Sequence, residues 1–257
     1  MPELPEVETL CRQLQKKIAG KKISASKVYD SKLAHVKNLK GETIAAVRRN
    51  GKTIEIFLNN GCSVLIHLRM TGRLLWQEDS ARPEHSRWRM SFASGNIFLV
   101  DPRRFATIKV LKEKRNIVDN DILLRFDQTA FMKKHSRRKS RVKSIIMDQN
   151  AIAGIGNIYA CEILHCSGIH PGRNAVTLSK YDWKKIFRNA ESILSKAIDK
   201  RGTSISDWRD LYGRQGENQH ELKAYGQEGK SCGNCGGIIK RIKQGGRSTF
   251  YCPQCQK

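Results

Sequence analysis

The sequence predicts a three-part α+β protein: a β-sandwich or barrel led by one helix, then a basic helical segment, then a small terminal β-hairpin. Three observations predict it. Six short runs rich in β-formers lie between Thr43 and Leu111, with Asn59-Asn60-Gly61 and Ser94-Gly95 as turn signals between them. From Phe131 the pattern turns helical and strongly basic. Near the end, four cysteines stand as Cys232-x2-Cys235-x16-Cys252-x2-Cys255.

Residues 5–18 form the leading helix, because Val7, Leu10, Leu14 and Ile18 recur at helical spacing. Pro5, Glu6 and Glu8 suit its first turn and Gly20 its end. The β-runs are Thr43 to Val47, Thr53 to Leu58, Ser63 to Leu68, Trp88 to Ala93, Ile97 to Val100 and Thr107 to Leu111. Residues 113–130 are charged and mixed without periodicity, which places a domain boundary there. Beyond it, Lys133 to Lys143 carries seven lysines and arginines and no acid, a run that read alone is a solvated helix face or a floppy arm. It leads into Ile145-Ile146-Met147-Asp148, a Gly154-Ile155-Gly156 turn and a second helix starting near Asn157. The free amides of such a helix start can bind phosphate, and Asn157 would cap the helix and donate to the same anion. Taken alone, a Gly-x-Gly is weak support. Further helices are expected over Ser179 to Ala197 and Ser204 to Leu211, and a mobile loop over Gly213 to Lys230.

The four C-terminal cysteines form two pairs, each on a tight turn, at a separation that lets four thiolates surround zinc. Disulfides are the alternative, disfavoured because the rest of the chain reads as intracellular. Ile238 to Lys243 and Ser248 to Tyr251, joined through Gly245-Gly246, read as a hairpin carrying Lys240, Arg241, Lys243 and Arg247. Some thirty residues cannot bury a core of their own, so one zinc ion would hold this cationic finger, or serve only as a structural clip. Cys11, Cys62, Cys161 and Cys166 are expected to be buried, reduced thiols.

The chain has 257 residues, 39% of them hydrophobic, enough to support a core. It has no run of eighteen apolar residues, which excludes a membrane-spanning helix, and its acidic start argues against a secretory signal. Lysine and arginine number 48 against 24 acidic residues, a formal net charge of +24. Such a field concentrates polyanions. Nucleic acid is the leading partner; an anionic membrane surface, an acidic protein or a merely solvated surface are the weaker readings.

The first residues hold one chemical possibility. With Met1 removed, Pro2 would be a free secondary amine, partly uncharged near neutral pH and able to attack an aldehyde carbon. Glu3 beside it could move protons. The plainer alternative is a helix-leading proline with an acidic cap.

Met1-Pro-Glu-Leu-Pro-Glu-Val-Glu-Thr9 resembles the signature start of the bacterial formamidopyrimidine-DNA glycosylase family. Four more blocks agree in order: Arg49-Asn-Gly-Lys52, His67-Leu-Arg-Met-Thr-Gly72, Asp101-Pro-Arg-Arg-Phe105, and Met147-Asp-Gln through Gly154-Ile-Gly-Asn-Ile-Tyr159. Gly246-Arg-Ser-Thr-Phe-Tyr-Cys-Pro-Gln-Cys-Gln-Lys257 completes the set, so the resemblance spans essentially the whole chain. Leu4, Val7 and Thr9 distinguish it from the related endonuclease VIII branch.

The resemblance implies an N-terminal β-sandwich with flanking helices over residues 1–123, a helix-two-turn-helix domain over 124–223 and a zinc finger over 224–257. It implies a monomeric, cytoplasmic repair enzyme acting at nucleoid DNA. Such an enzyme excises 8-oxoguanine and formamidopyrimidines from duplex DNA and then cuts the strand by β,δ-elimination. Pro2 would be the nucleophile, Glu3 the proton donor and Glu6 a supporting carboxylate, with Lys52 and Arg247 serving the elimination steps. Met70, Arg103 and Phe105 would fill the gap left by the extruded base, although Met70 and Phe105 read alone look like core residues. Lys52, His67, His85, Arg138, Asn157, Tyr225, Arg241 and Arg247 would hold phosphates, and Lys143 would lie near the damaged base and read its edge. A glycosylase for oxidised pyrimidines and an inactive damaged-DNA-binding protein are the alternatives. Three features depart from the family. Lys112 to Asp127 lacks the Leu-Gly-Pro-Glu-Pro pattern, His85 is followed by Ser86-Arg87-Trp88 in place of Asp-His-Val, and the loop after Gly216 lacks an aromatic residue.

Overall fold

The chain begins with α1 (Leu4–Ile18), whose Val7, Leu10, Cys11, Leu14 and Ile18 are buried on one face. That stripe packs on the first of two four-stranded antiparallel sheets. The strands follow in order: β1 (Ala25–Val28), β2 (Ile44–Asn50), β3 (Thr53–Leu58), β4 (Ser63–His67), β5 (Arg73–Gln77), β6 (Ser86–Phe92), β7 (Gly95–Val100) and β8 (Thr107–Leu111). One sheet runs β2-β3-β4-β8 and the other β1-β6-β7-β5. Their inner faces share a core of Ile54, Ile56, Val64, Ile66, Leu74, Trp88, Met90 and Leu99 with the helix stripe. Each fully buried aliphatic side chain stabilises this core by about 1.5–3 kcal/mol. The expected sandwich and leading helix are therefore present.

The structure is a computed structural model describing residues 1–112 and 119–257. The charged boundary expected at 113–130 lies partly outside the described residues. Two compact units fall within Met1–Ile117 with Lys200–Glu217, and within Val118–Asp199 with Asn218–Lys257.

The return segment corrects one expectation. Ser204 to Leu211 is not helical. Trp208 and Leu211 enter the sandwich core, and extended backbone serves that better than a helix would. The Trp208 indole N–H donates to Arg201 O at 3.2 Å. Leu211 O accepts from the Trp76 N–H at 2.8 Å, covering the exposed edge of β5. Leu211 N–H donates to Gln13 Oε1 of α1 at 2.9 Å.

The second unit opens with a two-residue pair, β9 (Asn120–Asp121) and β10 (Arg125–Phe126). Then come α2 (Gln128–His135), α3 (Val142–Ile146), α4 (Asn157–Ser167) and α5 (Lys180–Asp199). Asp127 caps α2 through the Thr129 and Ala130 N–H groups. Ser179 and Asp182 form a reciprocal cap at the start of α5. Phe126, Phe131, Trp183 and Phe187 meet edge-to-face between α2 and α5. The chain closes with a hairpin, β11 (Lys240–Gln244) and β12 (Arg247–Tyr251). Gly245 and Gly246, both at positive φ, supply the two-residue turn that such a hairpin requires.

Two further expectations need correction. Of the four scattered cysteines, Cys11 and Cys161 are buried, but Cys166 is exposed and Cys62 only half-buried. Cys166 lies on the outward side of α4, and Cys62 follows a tight turn. The stretch Gly213 to Lys230 is anchored rather than loose. The buried Glu162 carboxylate accepts from the N–H groups of Lys223, Ala224 and Tyr225, all within 2.9 Å. Burial still pushes the Glu162 carboxyl above its ordinary range.

Candidate active site and nucleic-acid interface

In the first unit the chain start is held by α1. Glu3 is the N-cap, and Glu6 Oε2 accepts from the Glu3 N–H at 2.7 Å in a reciprocal capping box. Its other oxygen, Oε1, accepts from the Thr203 N–H of the return segment at 2.8 Å. Glu6 is 1% exposed, and a Cβ on Gly202 would meet its Oε1 at 2.7 Å. The carboxylate thus locks the backbone that carries Pro2 and Glu3, both buried, while Met1 is exposed.

Lys52 is buried in the tight turn between β2 and β3. Arg49, which the resemblance did not assign a role, ties that turn to α1. Its Nε donates to Glu8 Oε2 at 2.9 Å and its Nη1 to Gly51 O at 3.2 Å. Across the ladder His67 pairs with Thr53, which brings it beside Lys52. Burial lowers the His67 pKa to about 4, and the charges of Arg69 and Lys52 push the same way. Its Nδ1 accepts from the Arg69 N–H at 3.1 Å, so the neutral ring presents Nε2–H as a donor.

Met70 and Phe105 stand 48% and 45% exposed, so neither is a core residue. The Arg103 guanidinium lies 4.7 Å from the centre of the Phe105 ring. One buried carboxylate joins the two loops that carry these side chains. Asp101 Oδ1 accepts from Thr71 Oγ1 at 2.5 Å and from the Arg103 N–H at 3.2 Å. Asp101 Oδ2 accepts from the Phe105 and Ala106 N–H groups, each at 2.7 Å. Gly72 permits the close approach: a Cβ there would lie 2.4 Å from Leu68 O and 2.9 Å from the Ala106 Cβ. His85 is exposed, at φ 59°, with Nε2 3.3 Å from Glu84.

In the second unit Lys143 is only 2% exposed. Its ammonium donates to Asn157 Oδ1 at 2.5 Å and to Thr249 Oγ1 at 2.7 Å. Asn157 is the first residue of α4 and not its cap; Gly156 holds the cap position because Asn157 turns its amide to the hairpin, donating to Ser248 O at 2.9 Å. Arg247 is exposed and lines a cleft of about 220 Å³ with Lys143, Ser144, Met147, Asp148 and Gln244. Tyr225 packs edge-on against Phe250. Arg138 pairs with Asp148 at 3.6 Å and Arg241 with Glu228 at 2.9 Å. Exposed pairs of this kind contribute little and yield readily to a phosphate.

The Sγ atoms of Cys232, Cys235, Cys252 and Cys255 all lie within 4.8 Å of one another. Cys232 and Cys255 are 3.8 Å apart, Cys235 and Cys252 3.5 Å. Sulfurs about 3.8 Å apart are what four bonds of about 2.3 Å in a tetrahedron demand, and a disulfide would need about 2.05 Å. The residues therefore fit one structural zinc ion. Sequence reasoning missed His165, whose Nε2 lies 3.3 Å from Cys232 Sγ, because no local pattern links positions so far apart.

Three family models match in order: the formamidopyrimidine-DNA glycosylase N-terminal domain over residues 1–108, the H2TH domain over 119–208 and the zinc finger found in FPG and IleRS over 229–257. The formamidopyrimidine-DNA glycosylase of Pelotomaculum thermopropionicum is 40% identical, covering 100% of this chain and 99% of the relative. That of Carboxydothermus hydrogenoformans is 38% identical over the full length of both. Among solved structures, a Lactococcus lactis Fpg complex with abasic-site DNA matches with a TM-score of 0.90 at 32% identity, covering 99% of each chain. A variant of the same protein bound to Fapy-dG DNA matches with a TM-score of 0.90 over 100% of both chains. By its three domains and by relatives matched end to end, the chain belongs to the formamidopyrimidine-DNA glycosylase family.

Proposed function

We propose that the protein is a base-excision-repair DNA glycosylase and abasic-site lyase, removing 8-oxoguanine and formamidopyrimidines from duplex DNA in the cytoplasm, at the nucleoid. Residues 1–123 carry the chemistry, 124–223 the helix-two-turn-helix contacts and 224–257 the finger. The observation that carries the reading is the chain start: Pro2 and Glu3 precede a helix whose buried Glu6 fixes the backbone N–H of Glu3 and of Thr203. The relatives' complexes with Fapy-dG and abasic DNA support the substrate class.

With Met1 removed, the Pro2 nitrogen attacks C1′ of the extruded nucleotide. The C1′–base bond breaks, the base leaving with the proton given up by the prolyl nitrogen, and Glu3 protonates O4′ as the C1′–O4′ bond opens to an iminium. The iminium withdraws electrons and acidifies the C2′ proton. Loss of that proton expels the 3′ phosphate, and a second elimination expels the 5′ phosphate, leaving a one-nucleotide gap. Lys52 and Arg247 are the cations assigned to these steps. Met70, Arg103 and Phe105 enter the vacated stack, repaying an extrusion cost of a few kcal/mol. His67, His85, Arg138, Asn157, Tyr225 and Arg241 hold phosphates. Lys143 lies near the damaged base and reads its edge, and its hydrogen bonds to Asn157 and Thr249 also make it a positioning residue for Asn157.

Cys232, Cys235, Cys252 and Cys255 would hold the zinc, whose role would be structural: to fix the hairpin that bears Arg241 and Arg247. Borohydride should trap a covalent complex with 8-oxoguanine duplex, and a tag fused ahead of Pro2 should abolish it. Equal trapping by the tagged protein would remove Pro2 as nucleophile.

A further inference from the structure

We propose that Arg87 is a positioning residue for lesion capture, setting the loop that carries Arg103 and Phe105. The proposal rests on reading Met70, Arg103 and Phe105 as the inserted group.

Arg87 lies on β6 and is 3% exposed. Its guanidinium reaches three acceptors at once. Nε donates to Asp30 Oδ2 at 2.5 Å, and Nη1 to Ala106 O at 2.6 Å and Asp101 Oδ2 at 3.4 Å. Asp101 is the carboxylate that gathers Thr71 and the backbone of the 103–106 loop, so Arg87 neutralises and orients that hub. Asp30 also binds Arg104 through both carboxylate oxygens. Two buried carboxylates and two arginines thus brace one loop.

The brace sits where the backbone is strained. Arg104, between Arg103 and Phe105, has φ 56°, and Arg69, just before Met70, has φ 58°. Such angles are costly for residues with a Cβ and persist only when the surroundings impose them. Met70 and Phe105 are held out toward solvent, so their aim comes from this backbone. A wedge that must displace a stacked base needs a support that does not yield. Only a guanidinium reaches three acceptors in a fixed fork; an ammonium keeps the charge and loses that geometry.

The test compares Arg87→Lys, Asp30→Asn and Phe105→Ala with the parent protein on a duplex bearing 8-oxoguanine and a neighbouring 2-aminopurine. Stopped-flow fluorescence reports insertion, and borohydride trapping on a preformed abasic duplex reports the chemistry. For Arg87→Lys and Asp30→Asn, insertion should slow by about tenfold or more while trapping at saturating protein changes by less than about twofold. Slow insertion by Phe105→Ala with normal insertion by both brace variants overturns the proposal and leaves the wedge reading intact. Normal insertion by all three removes the wedge reading and this proposal with it. Should the buried variants fail a thermal-unfolding check, Arg104→Gln, at the half-exposed end of the brace, takes their place with the same criteria.

Discussion

Glu6 and Lys143 show how a buried charge is used here. Each ionic group meets hydrogen-bond partners that would otherwise drift: the chain start and Thr203 for Glu6, Asn157 and Thr249 for Lys143. Removing one partner of such a set leaves the others unsatisfied, at about 1–3 kcal/mol. Lys143→Met is expected to lower stability by that amount, measured by urea unfolding. It should also weaken DNA binding several-fold without changing the salt slope, because Asn157 carries no charge. A lysine that touched phosphate directly would instead remove about 0.9 from the slope, so titrations at several salt concentrations separate the two roles.

At the scale of elements, the finger is the part most dependent on a single interaction. Cys252→Ala, or chelation of zinc, should release Arg247 and Arg241 and weaken duplex binding by about tenfold or more. The sandwich, with its own core, should keep its unfolding transition. Binding that matches the parent protein would contradict this assignment. The leading helix, six of the eight sandwich strands and the finger were legible in the sequence because each follows a local rule: apolar spacing in α1, turn residues between strands, paired cysteines in the hairpin; β1 and β5 were not among the expected runs. Ser204 to Leu211 broke such a rule. A helix was expected there, but Trp208 and Leu211 are claimed by a core built largely by residues far earlier in the chain. The Asp30–Arg87–Asp101 brace was equally hidden, since its members lie 57 and 14 residues apart and meet only once the sheets form. Exposure was the other hidden quantity: Met70 and Phe105 read as core until the loops turned them outward.

At the scale of the whole molecule, the net charge of +24 supplies affinity without sequence choice. Four to six neutralised phosphates would give a log–log salt slope of roughly −4 to −5. Acid should act on stability through histidine. Burial holds His67 down at about 4 and lowers His135 and His170 as well, so the unfolded chain takes up protons first as the pH falls. The stability these neutral rings contribute is present above about pH 6.5 and is lost toward pH 4. The melting temperature should drop across that window, and His67→Gln should flatten part of the drop. The most direct test of the central claim, that the Pro2 nitrogen forms the bond to the sugar, is mass spectrometry of the borohydride-reduced complex after proteolysis. The account predicts a deoxyribose adduct on an N-terminal peptide beginning at Pro2; an adduct on a lysine, or full activity in protein that still begins with Met1, would contradict it.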